Sequence, residues 1–232
     1  MKKEEDISEH WWKKKALLKS DFMICGCVNE KTKEAAIEAI KIAKKEGADL
    51  VELRIDKLQN PEDAAEIIKQ SELPVIATCR PEGVTKRIES LEKAIRAGAA
   101  YVDIEIETAE KNYKKIAETA RKNGCKVICS FHDFHGTPPK EELKKKIGEM
   151  EGKCDVIKVV TMAHGVEDGY KVLELLKGRK NIVAFSMGDV GRFTRIVCLL
   201  CGSPWTYCKI GEGTAAGQYT IKEMKEKMGE MK

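Results

Sequence analysis

The chain has 232 residues, 42% hydrophobic and 34% charged, enough for one substantial core and a common size for a single-domain α/β barrel. Its 42 basic and 38 acidic residues are well mixed and leave a formal net charge of +4, which excludes the basic stripe of a nucleic-acid or membrane-surface binder and points to a small ligand. No apolar stretch approaches the ~20 residues of a membrane-spanning helix, and residues 1–15 carry charges without an apolar centre, so the chain reads as cytoplasmic.

In chain order, residues 1–20, with Trp11-Trp12, read as an N-terminal extension, and residues 21–232 as one domain. Apolar, β-branched runs predict strands at 22–28, 50–55, 75–79, 101–106, 126–131, 156–162, 182–187 and 206–210. Charged segments of helical period lie between them, at 32–46, 61–70, 86–97, 109–123, 139–150, 166–177 and 190–201, with a last one at 221–231. Gly47, Gly98 and Gly124 stand where helices end in a left-handed residue, and Pro61 and Pro139 stand near helix starts. Eight strand–helix units predict a TIM barrel. An open doubly wound sheet would need a topological switch point, and no G-x-G-x-x-G follows the first strand.

The nine cysteines include Cys25, Cys79, Cys129 and Cys208 in or beside expected strands, where they act as small core hydrophobes. Cys198 and Cys201 have C-x-x-C spacing but fall late in a helical segment rather than opening one, which argues against redox or zinc chemistry.

Polar residues gather at the expected C-terminal strand ends, the face on which TIM barrels build their sites. Glu52 and Arg54 share one face of the second strand by its period of two. Thr78 and Arg80 end the third, followed by Glu82; Asp103 and Glu105 end the fourth; Ser130, His132 and Asp133 end the fifth; Ser186 and Met187 end the seventh. Lys158 lies inside the sixth, in the apolar run Val156-Ile157-Lys158-Val159-Val160. Burying an ammonium costs several kcal/mol unless it is paired or neutral. Two readings therefore stand side by side: a structural ion pair, or an amine with a depressed pKa poised to form a Schiff base. His132, one strand away and within reach of Glu82, is the natural general acid/base for the second. His135 falls in a loop and reads as a solvent or lid residue. After the eighth strand, the glycine-rich segment 211–217 could hold a phosphate or a carboxylate through backbone N–H groups. Arg195, Thr214 and Gln218 would add side-chain hydrogen bonds. A sugar-phosphate aldolase and a non-catalytic binding barrel remain open on these features.

Several segments together resemble the type I 3-dehydroquinate dehydratases of the shikimate pathway. They are Val51-Glu-Leu-Arg-Ile-Asp56, Thr78-Cys-Arg-Pro-Glu-Gly83, Ser130-Phe-His-Asp-Phe-His-Gly-Thr-Pro138, Ile157-Lys-Val159, Ser186-Met187, Arg195 and Ala215-Ala-Gly-Gln218. They run in family order from about residue 22 to 220. The resemblance implies a lyase of aromatic amino-acid biosynthesis that converts 3-dehydroquinate to 3-dehydroshikimate without metal or cofactor, as a homodimer. It implies a Schiff base on Lys158, with His132 as acid/base and Glu82 as the carboxylate beside it, Glu105 being the alternative. Glu52, Arg54 and Arg80 match residues that hold ring hydroxyls. Arg195, Thr214 and Gln218 match those around the substrate carboxylate, and Met187 and Tyr207 match pocket-lining residues. Thr214 stands where serine is often found, and Tyr207 where phenylalanine is familiar.

Overall fold

The computed structural model describes residues 22–80, 84–210 and 217–230. The expected N-terminal extension lies outside them, as do Glu82 and Thr214.

Eight parallel strands alternate with helices in a nearly closed (β/α)8 barrel, as the eightfold pattern predicts. The strands are β1 (Met23–Val28), β2 (Leu50–Arg54), β3 (Val75–Thr78), β4 (Tyr101–Glu105), β5 (Lys126–Asp133), β6 (Val156–Met162), β7 (Ile182–Met187) and β8 (Trp205–Lys209). The helices are α1 (Lys33–Glu46), α2 (Ala64–Gln70), α3 (Val84–Arg96), α4 (Glu110–Lys122), α5 (Lys140–Met150), α6 (Val166–Leu173), α7 (Thr194–Leu200) and α8 (Ile221–Glu230). Local chemistry sets the ends. Thr32 caps α1 by accepting the Ala35 N–H at 3.3 Å, with Glu34 in the first turn and Lys44 and Lys45 in the last. Gly47 closes it at φ 91°, a left-handed conformation that favours glycine.

Successive strand residues face opposite sides of the barrel wall. Outward, Ile24, Val51, Leu53, Ala77 and Val102 pack on Ile40, Ile67, Leu91, Ile95 and Ile116 of the helices. Inward, Cys25, Leu50, Ile76, Ile128, Val183 and Trp205 fill the barrel floor, all at most 2% exposed. Each such buried aliphatic side chain contributes about 1.5–3 kcal/mol relative to exposure. The cysteines 25, 79, 129 and 208 are buried free thiols, so they pack as small hydrophobes; Cys198 faces the core and Cys201 faces solvent. Among the described residues no helix is long and apolar enough to cross a membrane.

One element is shorter than expected. The segment 190–201 becomes helical only from Thr194, because the chain first folds back on β7. Thr194 Oγ1 donates to the Gly191 carbonyl at 2.6 Å and accepts the Ser186 N–H at 2.8 Å. A Cβ on Gly191 would lie 2.6 Å from the Met187 carbonyl oxygen, so this close return needs glycine.

β7 and β8 are the two ends of the hydrogen-bonded strand order. The barrel closes between them through side chains: the Phe185 and Tyr207 rings meet across the seam with centroids 5.8 Å apart.

Candidate active site

The register brings the inward polar residues to one level. Thr78 pairs with Asp103, Glu105 with Ser130, and Ser130 with Lys158. Their side chains meet inside the barrel above the apolar floor.

Lys158 is 4% exposed and donates from Nζ to Glu52 Oε1 at 3.1 Å and to Asp103 Oδ2 at 3.0 Å. Its Nζ also lies 4.2 Å from the centroid of the Tyr207 ring. Burial pushes the lysine pKa down, but Asp103 and then Glu52 outweigh it and hold the group above the ordinary lysine value. This corrects the expectation of a depressed pKa. Arg80 does act in the lowering direction, yet two buried carboxylates at hydrogen-bond distance exceed it. At rest, Lys158 is therefore a buried ammonium in an ion-pair network.

The carboxylates are correspondingly held ionised. Burial alone would raise Asp103 and Glu52, but Lys158 and Arg80 bring both below the usual carboxylate range. Asp103 also accepts from Ser130 Oγ at 2.5 Å and from Arg80 Nη2 at 3.3 Å. Glu52 accepts from Thr78 Oγ1 at 3.0 Å and from the Cys27 thiol at 3.8 Å. Asp103 was legible as a strand-end residue but not as a direct partner of the lysine. Its signal was its place two residues before Glu105, on the face that shares a register with Thr78.

Arg80 is the hub of the upper layer. Its Nε donates to Glu105 at 3.1 Å, and its Nη2 approaches Asp103, Ser130 and His132 Nε2, the last at 3.5 Å. Glu105 is thus engaged by Arg80 and also by Arg87 at 3.3 Å. A guanidinium cannot accept, so His132 must present a lone pair at Nε2. Burial, then Arg80, then Lys158 push the His132 pKa well below the ordinary value, so the ring stays neutral. His132 Nδ1 has no partner among the described residues. The Phe134 ring stacks over the imidazole at 6.0 Å and 14°.

Arg54, expected at the substrate, turns its fork onto Asp56, at 3.0 and 2.8 Å. Arg195 is 2% exposed, with Cζ 4.4 Å from the Phe185 ring centroid and Nη1 donating to the Tyr207 carbonyl at 3.4 Å. Among the described residues no carboxylate lies within 4.0 Å of it. Gln218 Nε2 approaches Cys27 Sγ at 3.7 Å, which places it on the Glu52 side of the site. Met187 ends β7, paired with Met162. His135 is exposed, and its carbonyl accepts from His164 Nε2 at 2.7 Å, tying together the two loops after β5 and β6.

The structure thus gathers Lys158, His132, Glu52 and Arg80 with Asp103 around one barrel mouth. Chemically this is a lysine that can be uncovered by proton transfer, a neutral imidazole beside it, and fixed charges excluded from bulk water.

The family model described as type I 3-dehydroquinase matches residues 24–232. A protein named 3-dehydroquinate dehydratase from Syntrophobacter fumaroxidans is 36% identical over 225 residues, spanning 87% of this chain and 93% of its own length. One of the same name from Methanothermobacter thermautotrophicus is 36% identical over 218 residues, spanning 90% and 96%. The solved 3-dehydroquinate dehydratase from Aquifex aeolicus superposes with a TM-score of 0.79 at 27% identity, over 91% of this chain and 99% of that one. The one from Geobacillus kaustophilus, at 23% identity and a TM-score of 0.83 over 91% of each chain, shares the fold.

Proposed function

This chain belongs to the type I 3-dehydroquinase family, and on that premise we propose that it dehydrates 3-dehydroquinate to 3-dehydroshikimate through a Schiff base on Lys158, with His132 as general acid/base. The observation that carries this reading is the buried Lys158 ammonium one strand away from a neutral, desolvated imidazole.

Substrate entry lets the Lys158 proton pass to a neighbouring base, and the free amine attacks the C3 carbonyl. Loss of the carbonyl oxygen as water leaves a protonated imine. Neutral His132 then removes the C2 proton; the C2–H bonding pair forms the C2=C3 double bond and the C=N π pair moves onto nitrogen, giving an enamine without any metal or bound cofactor. The enamine expels the C1 hydroxyl, which takes a proton from the imidazolium and leaves as water. Hydrolysis of the remaining iminium frees Lys158 and the enone product. Arg195 takes the substrate carboxylate with Gln218 and Thr214, which supplies the anion that this buried guanidinium lacks among the described residues. Arg80, Glu52 and Arg54 contact ring hydroxyls, Met187 lines the pocket, and Glu82 orients His132. Glu105, already held by Arg80 and Arg87, is the weaker choice for that last role. A cytoplasmic homodimer is part of this reading.

The test is direct. Adding 3-dehydroquinate should raise ultraviolet absorbance from the enone product, and borohydride in its presence should add covalent mass at Lys158. An adduct at another residue, or one formed only with sugar phosphates, would overturn the reading in favour of an aldolase; binding without turnover would reduce the barrel to a binding module.

The pH profile follows from the two shifted groups. Imine formation needs one proton on the Lys158–His132 pair taken together, on whichever partner it sits. That total is present above the lowered His132 pKa and below the raised Lys158 pKa. The kcat/KM profile of the free enzyme should therefore be flat across the span between the ordinary values of 6.5 and 10.5, with its acid limb below the first and its alkaline limb above the second. An acid limb centred above pH 7 would refute the neutral-imidazole assignment.

A further inference from the structure

Four side chains form a continuous column across the β7–β8 seam, each at most 4% exposed: Lys158, Tyr207, Phe185 and Arg195. Lys158 Nζ lies 4.2 Å from the Tyr207 centroid, that ring meets Phe185 at 5.8 Å, and Arg195 Cζ lies 4.4 Å from the Phe185 centroid. Each cation sits against a ring in a desolvated setting, where the ring's quadrupole attracts positive charge most strongly. Among the described residues no strand ladder spans this seam, since β7 and β8 end the hydrogen-bonded order, so spacing across it depends on side-chain contacts.

We propose that Tyr207 and Phe185 are positioning residues for the dehydration, setting the separation between the Schiff-base nitrogen at Lys158 and the guanidinium of Arg195 that takes the substrate carboxylate. The inference rests on the Schiff-base reading above. Its chemical basis is a count of donors. An ammonium has three N–H groups and can serve Glu52 and Asp103 together, whereas a protonated imine has one. On condensation, at least one of the contacts at 3.1 and 3.0 Å must be given up. The contact with the Tyr207 face needs no N–H; it acts on the charge and persists through every cationic intermediate. At the other end, the Phe185 face holds Arg195 in the same way. The second ring joins the two ends together with the hydrogen bond from Arg195 Nη1 to the Tyr207 carbonyl at 3.4 Å.

The experiment compares Tyr207→Leu, Tyr207→Phe and Phe185→Leu with the parent enzyme, measuring kcat, KM, thermal midpoint and the rate at which borohydride traps the Lys158 adduct. Tyr207→Leu should lower both kcat and the trapping rate by about tenfold or more, and Tyr207→Phe, which keeps the ring, should restore both to within about twofold. Phe185→Leu should act mainly on KM by freeing Arg195. Parent-like trapping by Tyr207→Leu, or a Tyr207→Phe variant as impaired as Tyr207→Leu, would overturn the role of the ring. Should Tyr207→Leu fail to fold, the Phe185→Leu variant decides, an unchanged KM overturning the column. A parent that forms no adduct would remove the Schiff-base reading itself, whereas a labelled parent beside an equally labelled Tyr207→Leu overturns this inference alone.

Discussion

Lys158→Ala is expected to reduce turnover to background and to eliminate the borohydride-trapped adduct with 3-dehydroquinate. Among the described residues the other cations placed at the site, Arg54, Arg80 and Arg195, are guanidinium groups that cannot form an imine in its place. The same change should be costly to the fold. Removing the ammonium leaves Glu52 and Asp103 facing each other, both nearly inaccessible, with Arg80 as their remaining strong compensating cation. Breaking a buried ion pair from one side typically costs 3–5 kcal/mol, so the thermal midpoint should fall with the activity. Adding Asp103→Asn to the Lys158→Ala background should recover part of that stability while activity stays at background. This split separates the chemical role of the lysine from its structural one. Turnover or trapping that survives in Lys158→Ala would end the Schiff-base reading.

His132→Ala should give the complementary phenotype. Imine formation should stay partly intact, so borohydride should still add mass at Lys158 in the presence of substrate, more slowly than in the parent, but proton removal from C2 stalls. A missing general acid/base typically costs about 10²–10⁴-fold in rate. The stability effect should be small, because the ring's Nδ1 has no partner among the described residues and its Nε2 meets Arg80 only at a long 3.5 Å. Wild-type turnover in this variant would move the acid/base role to another group.

The contrast between these two residues shows how far the sequence could be read. Lys158 was conspicuous because a charged residue interrupts a β-branched run, and His132 because it ends a neighbouring strand. Both signals are local, and period-two alternation alone puts them on the inner face of the barrel. Their protonation states were not legible. The sequence left a structural ion pair and a depressed lysine side by side, because the resting charge depends on Glu52 and Asp103, 106 and 55 residues away in the chain. A difference of a few tenths of an ångström in such contacts decides whether pairing or desolvation dominates, and no spacing rule carries that information. Arg54 makes the same point from the other side. Its position on the inner face of β2 was readable, while its bidentate hold on Asp56 was not.

By itself, the sequence determined the alternation of eight strands and helices, the face on which the polar groups lie, and the family. All three follow from hydrophobic period, cap residues and motif order, which are properties of neighbours along the chain. Tertiary structure alone decided which carboxylates hold the lysine charged, that Arg80 organises the upper layer among the described residues, and that an aromatic pair between two cations packs across the β7–β8 seam. These depend on strand register and on distances across the barrel, where desolvation and Coulomb terms of similar size oppose each other and geometry sets the balance.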